Sequence, residues 1–144
     1  MKRSLRTLPF LVLLSLSSFG LSETRIRSVS EAYWTTRDFS RIPEYFTGKE
    51  YRGNQVIART QDDREGLYFV LELNQALATL PKSCEFFIEV VRSDGPDAKL
   101  YKLSIPDETK GRREVLLGIT GEDWNSRKIK PVAWRIKIKD VSGK

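Results

Sequence analysis

Five segments between residues 66 and 140 alternate apolar and polar side chains with a period of two, and that alternation dictates what the chain can fold into. "GLYFVLELN" places Leu67, Phe69, Leu71 and Leu73 on one face. "CEFFIEVVR" turns Cys84, Phe86, Ile88 and Val90 inward and Glu85, Phe87 and Glu89 outward. "KLYKLSI" groups Tyr101, Leu103 and Ile105, and "EVLLGIT" groups Val115, Leu117 and Ile119. "PVAWRIKIKD" sets Val132, Trp134, Ile136 and Ile138 against Arg135, Lys137 and Lys139. Wound as helices, these segments would scatter their apolar side chains around the axis; as pleated strands, each gathers them on one side. "RSDGPDAK" separates two of them with Asp94-Gly95, which accepts left-handed dihedrals, and Pro96, which cannot donate to a ladder. "PDETKGRR" does the same for the next pair. "NQVIART" adds a strand at about 54–60, and "VSEAYW" carries a fainter version of the pattern.

Six or seven short strands about a dozen residues apart predict an all-β chain, a single antiparallel β-sandwich. Over 54–140 the series resembles the architecture of immunoglobulin-like or fibronectin-like sandwiches. The Cys…Trp…Cys signature of antibody domains is absent, because Cys84 is the one cysteine. The resemblance implies a fold and carries no function. The core is expected over 65–140. Residues 23–64 read as an irregular, aromatic-rich segment that packs on it. Within that segment "RDFSRIPEYF" spaces Phe39, Ile42 and Phe46 as a helix would, with Asp38 as its N-cap, although Pro43 interrupts the turn. "GEDWNSRK" is expected to form one further turn with acids at its start.

The first 22 residues are an address. Lys2, Arg3 and Arg6 precede an apolar run from Leu8 to about Leu14, and small residues before Gly20 and Ser22 satisfy the cleavage rule after either one. The run is shorter than the ~20 residues of a spanning helix. A secretory signal peptide over 1–22, and an exported protein of a bacterial periplasm or the extracellular space, are the expectation. No lipid-attachment cysteine lies near the cleavage site. Without these residues the chain has 22 basic and 19 acidic residues, a net of +3 rather than +6. The remaining domain is mildly basic with mixed charges, as soluble surfaces are.

Much chemistry is excluded. There is no histidine, so neither a Ser-His-Asp nor a Cys-His mechanism can be assembled from this chain, and with one cysteine a structural zinc site cannot either. The acid pairs Asp62-Asp63, Asp107-Glu108 and Glu122-Asp123 sit in turns, without the spacing of a calcium loop. "GITG" follows a strand and lacks the helices of a nucleic-acid clamp; Gly118 reads instead as a bulge or a place where another backbone comes close. Cys84 has core parity and reads as a small apolar side chain. The sequence therefore points to no catalytic residue, cofactor or metal ligand, and to no nucleic acid. The basic stripe Arg135, Lys137, Lys139 is read as a solvated strand face, with Glu85, Glu89 or Glu72 expected across from it.

The aromatics are the residual signal. Tyr33, Trp34, Phe39, Tyr45, Phe46 and Tyr51 are closely spaced and read mainly as a cover buried on the core, while Trp124 stands among Gly121, Glu122, Asp123, Asn125 and Ser126 with no apolar neighbour. Trp124 is thus expected in the open, and with Trp34 and Tyr33 it forms the candidate ligand-contact set. The functional expectation is an exported, non-catalytic module that binds a protein or serves structurally in the envelope or outside the cell. The alternative is a carbohydrate-binding module built on those rings; the third is a histidine-free hydrolase with two facing carboxylates.

Overall fold

The structure, a computed structural model, describes residues 23–107, 109 and 111–140; the expected signal peptide at 1–22 lies outside the described residues. Seven strands form two sheets, with a few short helical turns between them. The strands are β1 (Ile26–Trp34), β2 (Ile57–Arg59), β3 (Gly66–Leu73), β4 (Glu85–Arg92), β5 (Ala98–Ser104), β6 (Glu114–Thr120) and β7 (Pro131–Lys139). One sheet has the order β1-β3-β6-β2, the other β5-β4-β7. The all-β class expected from the alternation is therefore present. The expectation of purely antiparallel pairing is corrected at one place: β2 runs parallel to β6, with Ala58 beside Leu117.

One apolar core serves both sheets. Leu67, Phe69, Leu71 and Leu73 of β3 and Val115, Leu117 and Ile119 of β6 meet Phe86, Ile88 and Val90 of β4 and Leu103 of β5. These are the inward positions that the period-two pattern assigned. Cys84, also in this cluster, is a buried free thiol whose pKa burial raises. Trp134 meets the edge of the Phe69 ring at 5.2 Å, which ties β7 to β3. Its inward parity does not bury it fully, because β7 is an outer strand of its sheet, and Val132 is exposed.

The basic stripe lies as expected against two of its three predicted partners. Arg135 stands opposite Glu89 and donates to its carboxylate from both Nε and a terminal nitrogen. Lys139 stands opposite Glu85, although the Glu85 carboxylate is taken by Lys102 of β5 at 2.9 Å. Glu72 belongs to the other sheet, between Ser28 and Glu114, and cannot face β7. Lys137 lies across from Phe87, and Lys139 Nζ sits 5.4 Å from the Phe87 ring.

Residues 23–64 are more regular than their composition suggests. They carry β1, which pairs with β3 along its length, and two short helices, α1 (Thr36–Phe39) and α2 (Ile42–Thr47), before β2. The helix expected across "RDFSRIPEYF" is split. Ser40 and Arg41 are extended, and Pro43 falls in the first turn of α2, where its missing N–H costs nothing. Asp38 is the third residue of α1 rather than its N-cap; it accepts the N–H and the hydroxyl of Thr35 at 2.6 and 2.9 Å.

β3 and β6 are buried on both faces. Tyr68 and Leu116, which point away from the main core, join Phe39 of α1 and Ile57 of β2 in a second apolar cluster, with Trp34 packed against it. Two glycines make room between these paired strands. A Cβ on Gly118 would lie 2.5 Å from the Tyr68 ring, and one on Gly66 would lie 2.1 Å from the Ile119 carbonyl oxygen. The expectation of a bulge or a neighbouring backbone at Gly118 is corrected: a side-chain ring comes close there, and it is Gly66 that a backbone crowds. Gly66→Ala and Gly118→Ala should both destabilise, with Gly118→Ala costing about 1–3 kcal/mol by overpacking. Gly66→Ala should cost more, because backbone cannot step aside as a ring can. Denaturant unfolding of the two variants measures the order.

Candidate functional site

The surface built by α1, α2 and the loop to β2 rests on one buried cation. Arg59, at the end of β2, has a side chain 6% exposed. Its guanidinium lies 4.8 Å from the Phe39 ring centroid and 5.9 Å from that of Tyr68. Such a charge needs a partner in place. Glu50 supplies it through two parallel bonds of 2.9 and 2.8 Å, the bidentate geometry that favours arginine over lysine. The remaining Nε donates to the Tyr68 hydroxyl at 2.6 Å, and that hydroxyl donates to the Arg64 carbonyl at 2.6 Å. Burial works against the Glu50 charge, but Arg59, with help from Arg52 and Arg64, outweighs it and holds the carboxyl below its ordinary pKa. Burial raises the Tyr68 hydroxyl even though Arg59 opposes it.

A second carboxylate fastens α2 to this base. Glu44 accepts the Tyr51 N–H at 3.0 Å and Arg64 at 2.8 Å, and those two bonds, the backbone one first, lower its pKa. Gly48 closes α2 in the left-handed conformation at φ 65°, donating its N–H to the Glu44 carbonyl, and so turns the chain back toward Tyr51. Glu44 is two residues from both Ile42 and Phe46, which puts it on the opposite side of a helix with about 100° per residue. Pinning Glu44 inward therefore drives Ile42 and Phe46 outward, and Tyr45 is exposed with them. Ile42, Tyr45 and Phe46 are 75%, 85% and 86% exposed, and Tyr51, whose N–H bonds Glu44, is 52% exposed. A helix that turns its carboxylate in and its apolar side chains out inverts the usual amphipathic arrangement.

The expected burial of the aromatic segment as a cover thus holds for half of it. Phe39 is buried and Trp34 is half-buried; Tyr45, Phe46 and Tyr51 stand in water. Trp34 lies 5.0 Å from Phe39 and 5.6 Å from Tyr68, as part of the second cluster. Tyr33, its neighbour on β1, points to the other face, toward a cleft of about 280 Å³ that Asp63, Glu65, Asn125 and Trp124 also line. The guanidinium of Arg127 lies 5.6 Å from the Tyr33 ring. The two rings, being adjacent in a strand, face opposite ways and form no joint platform.

Trp124 is the clearest correction. It was expected in the open and is 0% exposed. The 3-10 turn Gly121–Trp124 drops its ring into the main core, where Arg92 lies 5.0 Å from the ring and donates to the Asp123 carbonyl at 2.6 Å. Polar neighbours in sequence misled because they cover the ring from outside. The indole N–H is buried without a hydrogen-bond partner among the described residues. An unmade bond of that kind costs about 1–3 kcal/mol.

No helix among the described residues is long and apolar enough to cross a membrane, and no group of three or more thiol or carboxylate side chains among them could hold a metal ion. Comparison with protein-family models, with curated proteins and with solved structures finds no match. The outward side of α2 is the feature of this surface that sequence reasoning missed. A signal for it was present: Pro43 favours the first turn, so it restarts the helix and breaks its phase with Phe39.

Two measurements test the site. Trp124→Ala should cost about 3–5 kcal/mol of stability, as large-to-small core changes do. Trp124→Phe should cost less than half of that, because it keeps most of the packing and removes the unpaired N–H; equal losses would contradict this. For pH, Asp38, Glu44 and Glu50 all have folded pKa values below their ordinary ones. Their stabilisation is complete above the ordinary carboxylate range of about 4 and is lost as pH falls through the depressed folded values. Thermal midpoints should hold level down to about pH 5 and then drop, and Glu44→Gln should flatten part of the drop.

Proposed function

We propose that this chain is an exported, non-catalytic β-sandwich module of immunoglobulin-like or fibronectin-like architecture, which binds another protein of the cell envelope or extracellular space through α2. The observation that carries the reading is the outward display of Ile42, Tyr45 and Phe46 on a helix held down by its own carboxylate. Water gives no reason for three large apolar side chains to be held out in this way; a partner's surface does. Tyrosine and arginine are also the residues in which binding energy concentrates at interfaces, and Tyr45 and Arg41 are both exposed, on α2 and at its start. The rigid mounting means that little conformational freedom is lost when the partner arrives.

The carbohydrate reading has less support. A sugar platform needs an exposed ring face, and Trp124 has none. Tyr33 remains half-exposed beside Asp63, Glu65 and Asn125, but it stands there without a second open ring.

The reading is tested with p-benzoylphenylalanine in place of Phe46, in the exported chain inside its own cells. Illumination should give a discrete protein adduct that the same group in place of Asp97, on the β4–β5 turn, does not give. Matching adduct patterns from the two positions would remove the reading. Phe46→Ala should change stability by less than about 0.5 kcal/mol, since nothing packs on an exposed side chain, while weakening binding by about 2 kcal/mol.

A further inference from the structure

We infer that the partner of α2 presents an apolar socket rimmed by carboxylates; this rests on the protein-binding reading above and adds the partner's chemistry. The basis is how charge is distributed around the exposed helix. Each carboxylate of the segment is engaged internally: Asp38 by Thr35, Glu44 by Arg64 and the Tyr51 N–H, and Glu50 by Arg59 and Arg52. Arg52 is thereby paired, but Arg37, Arg41 and Lys49 are not. Arg41 caps the start of α2 and donates only to the Asp38 and Ser40 carbonyls, which neutralise nothing. Lys49 follows its last turn, and Arg37 lies on α1. All three are exposed, and none has an ion-pair partner among the described residues. The outward face is therefore an apolar knob with positive charge at both ends.

This distribution chooses among occupants. A second copy docked through the same knob would set Arg41 and Lys49 against their equivalents, and like charges brought together in an interface oppose association. A strand-shaped partner has no edge to join here. An anionic lipid surface would satisfy the charges, but a fluid interface gains nothing from a helix locked by charge-assisted bonds through Glu44 and Glu50. A protein socket of fixed shape does. Carboxylates on its rim would meet Arg37, Arg41 and Lys49, speeding encounter and fixing the docking orientation.

The experiment places p-benzoylphenylalanine at Tyr45 of the exported chain and compares adduct yield in three backgrounds. These are otherwise unaltered, Phe46→Ala, and Arg37→Glu/Arg41→Glu/Lys49→Glu, each checked for folding by its thermal midpoint. Adduct should fall at least tenfold in both altered backgrounds. The milder Arg37→Gln/Lys49→Gln pair, which keeps the carbonyl bonds of Arg41, should lower it about threefold and serves if the triple variant does not fold. The cross-linked partner segment should carry Asp or Glu beside its apolar contact. If Phe46→Ala abolishes the adduct and the charge variants do not reduce it, the acidic rim is wrong and protein docking stands. If none of the changes reduces it, the docking reading falls as well. Vesicles of phosphatidylcholine with 30% phosphatidylglycerol should not pellet the protein through α2. Pelleting that Phe46→Ala abolishes would assign the knob to lipid and overturn the inference.

Discussion

A guanidinium set among aromatic rings has to be neutralised where it stands, and Arg59 imposes that requirement on everything around it. Glu50 must come down to meet it, which fixes the loop after α2. Tyr68 must offer its hydroxyl, which requires the ring to lie flat across Gly118. Arg64 then follows, accepting from Tyr68 through its carbonyl and reaching Glu44 with its side chain. One buried charge thus organises β2, β3 and α2 into a single polar frame beneath an apolar surface. Removing one member would strand the others, which is why such pairs are costly to break even where they add little net stability.

The frame explains how the outer side of the β1-β3-β6-β2 sheet differs from its inner side. The inner side is ordinary core, built from branched aliphatic and phenylalanine side chains. The outer side mixes rings with an ion pair, and its apolar members, Phe39, Tyr68, Leu116 and Trp34, seal the charges from water. Low local polarity strengthens those hydrogen bonds. A strong frame is what a six-residue helix needs, since a helix so short has little stability of its own.

The period-two pattern was enough to read the inward faces of β3, β4, β5 and β6, because burial on one side of a pleat leaves an alternation that water enforces. It was not enough for Tyr68 and Leu116, whose burial comes from a helix and a strand far away in sequence. That the basic stripe of β7 would face acids was legible because both sit at outward positions of alternating strands; which base meets which acid, Arg135 with Glu89, came only with the register. Glu72 looked equivalent, and only sheet order separates it from β7. Trp124 misled for a related reason: local polarity says what surrounds a residue along the chain, whereas its ring travels into the space below. Tyr45 and Phe46 misled in the opposite sense. Their composition suggested burial, and a single inward carboxylate two residues from Phe46 reverses the helix.

The four outer strands of the two sheets share a property that bears on crowding. Glu31 of β1 lies opposite Phe69, and Lys99 of β5 lies opposite Val90, so each places a charge on the core-facing side of an edge. β2 is three residues long, and β7 carries Arg135, Lys137 and Lys139. Charges and brevity at edges are what keep sheets from adding strands end over end into fibres. A chain without such edges would be free to pair with copies of itself through its own backbone. With them, the backbone edges are blunted, and what stays exposed includes a set of apolar side chains: Ile42, Tyr45 and Phe46 on α2, Leu100 on β5 and Val132 on β7.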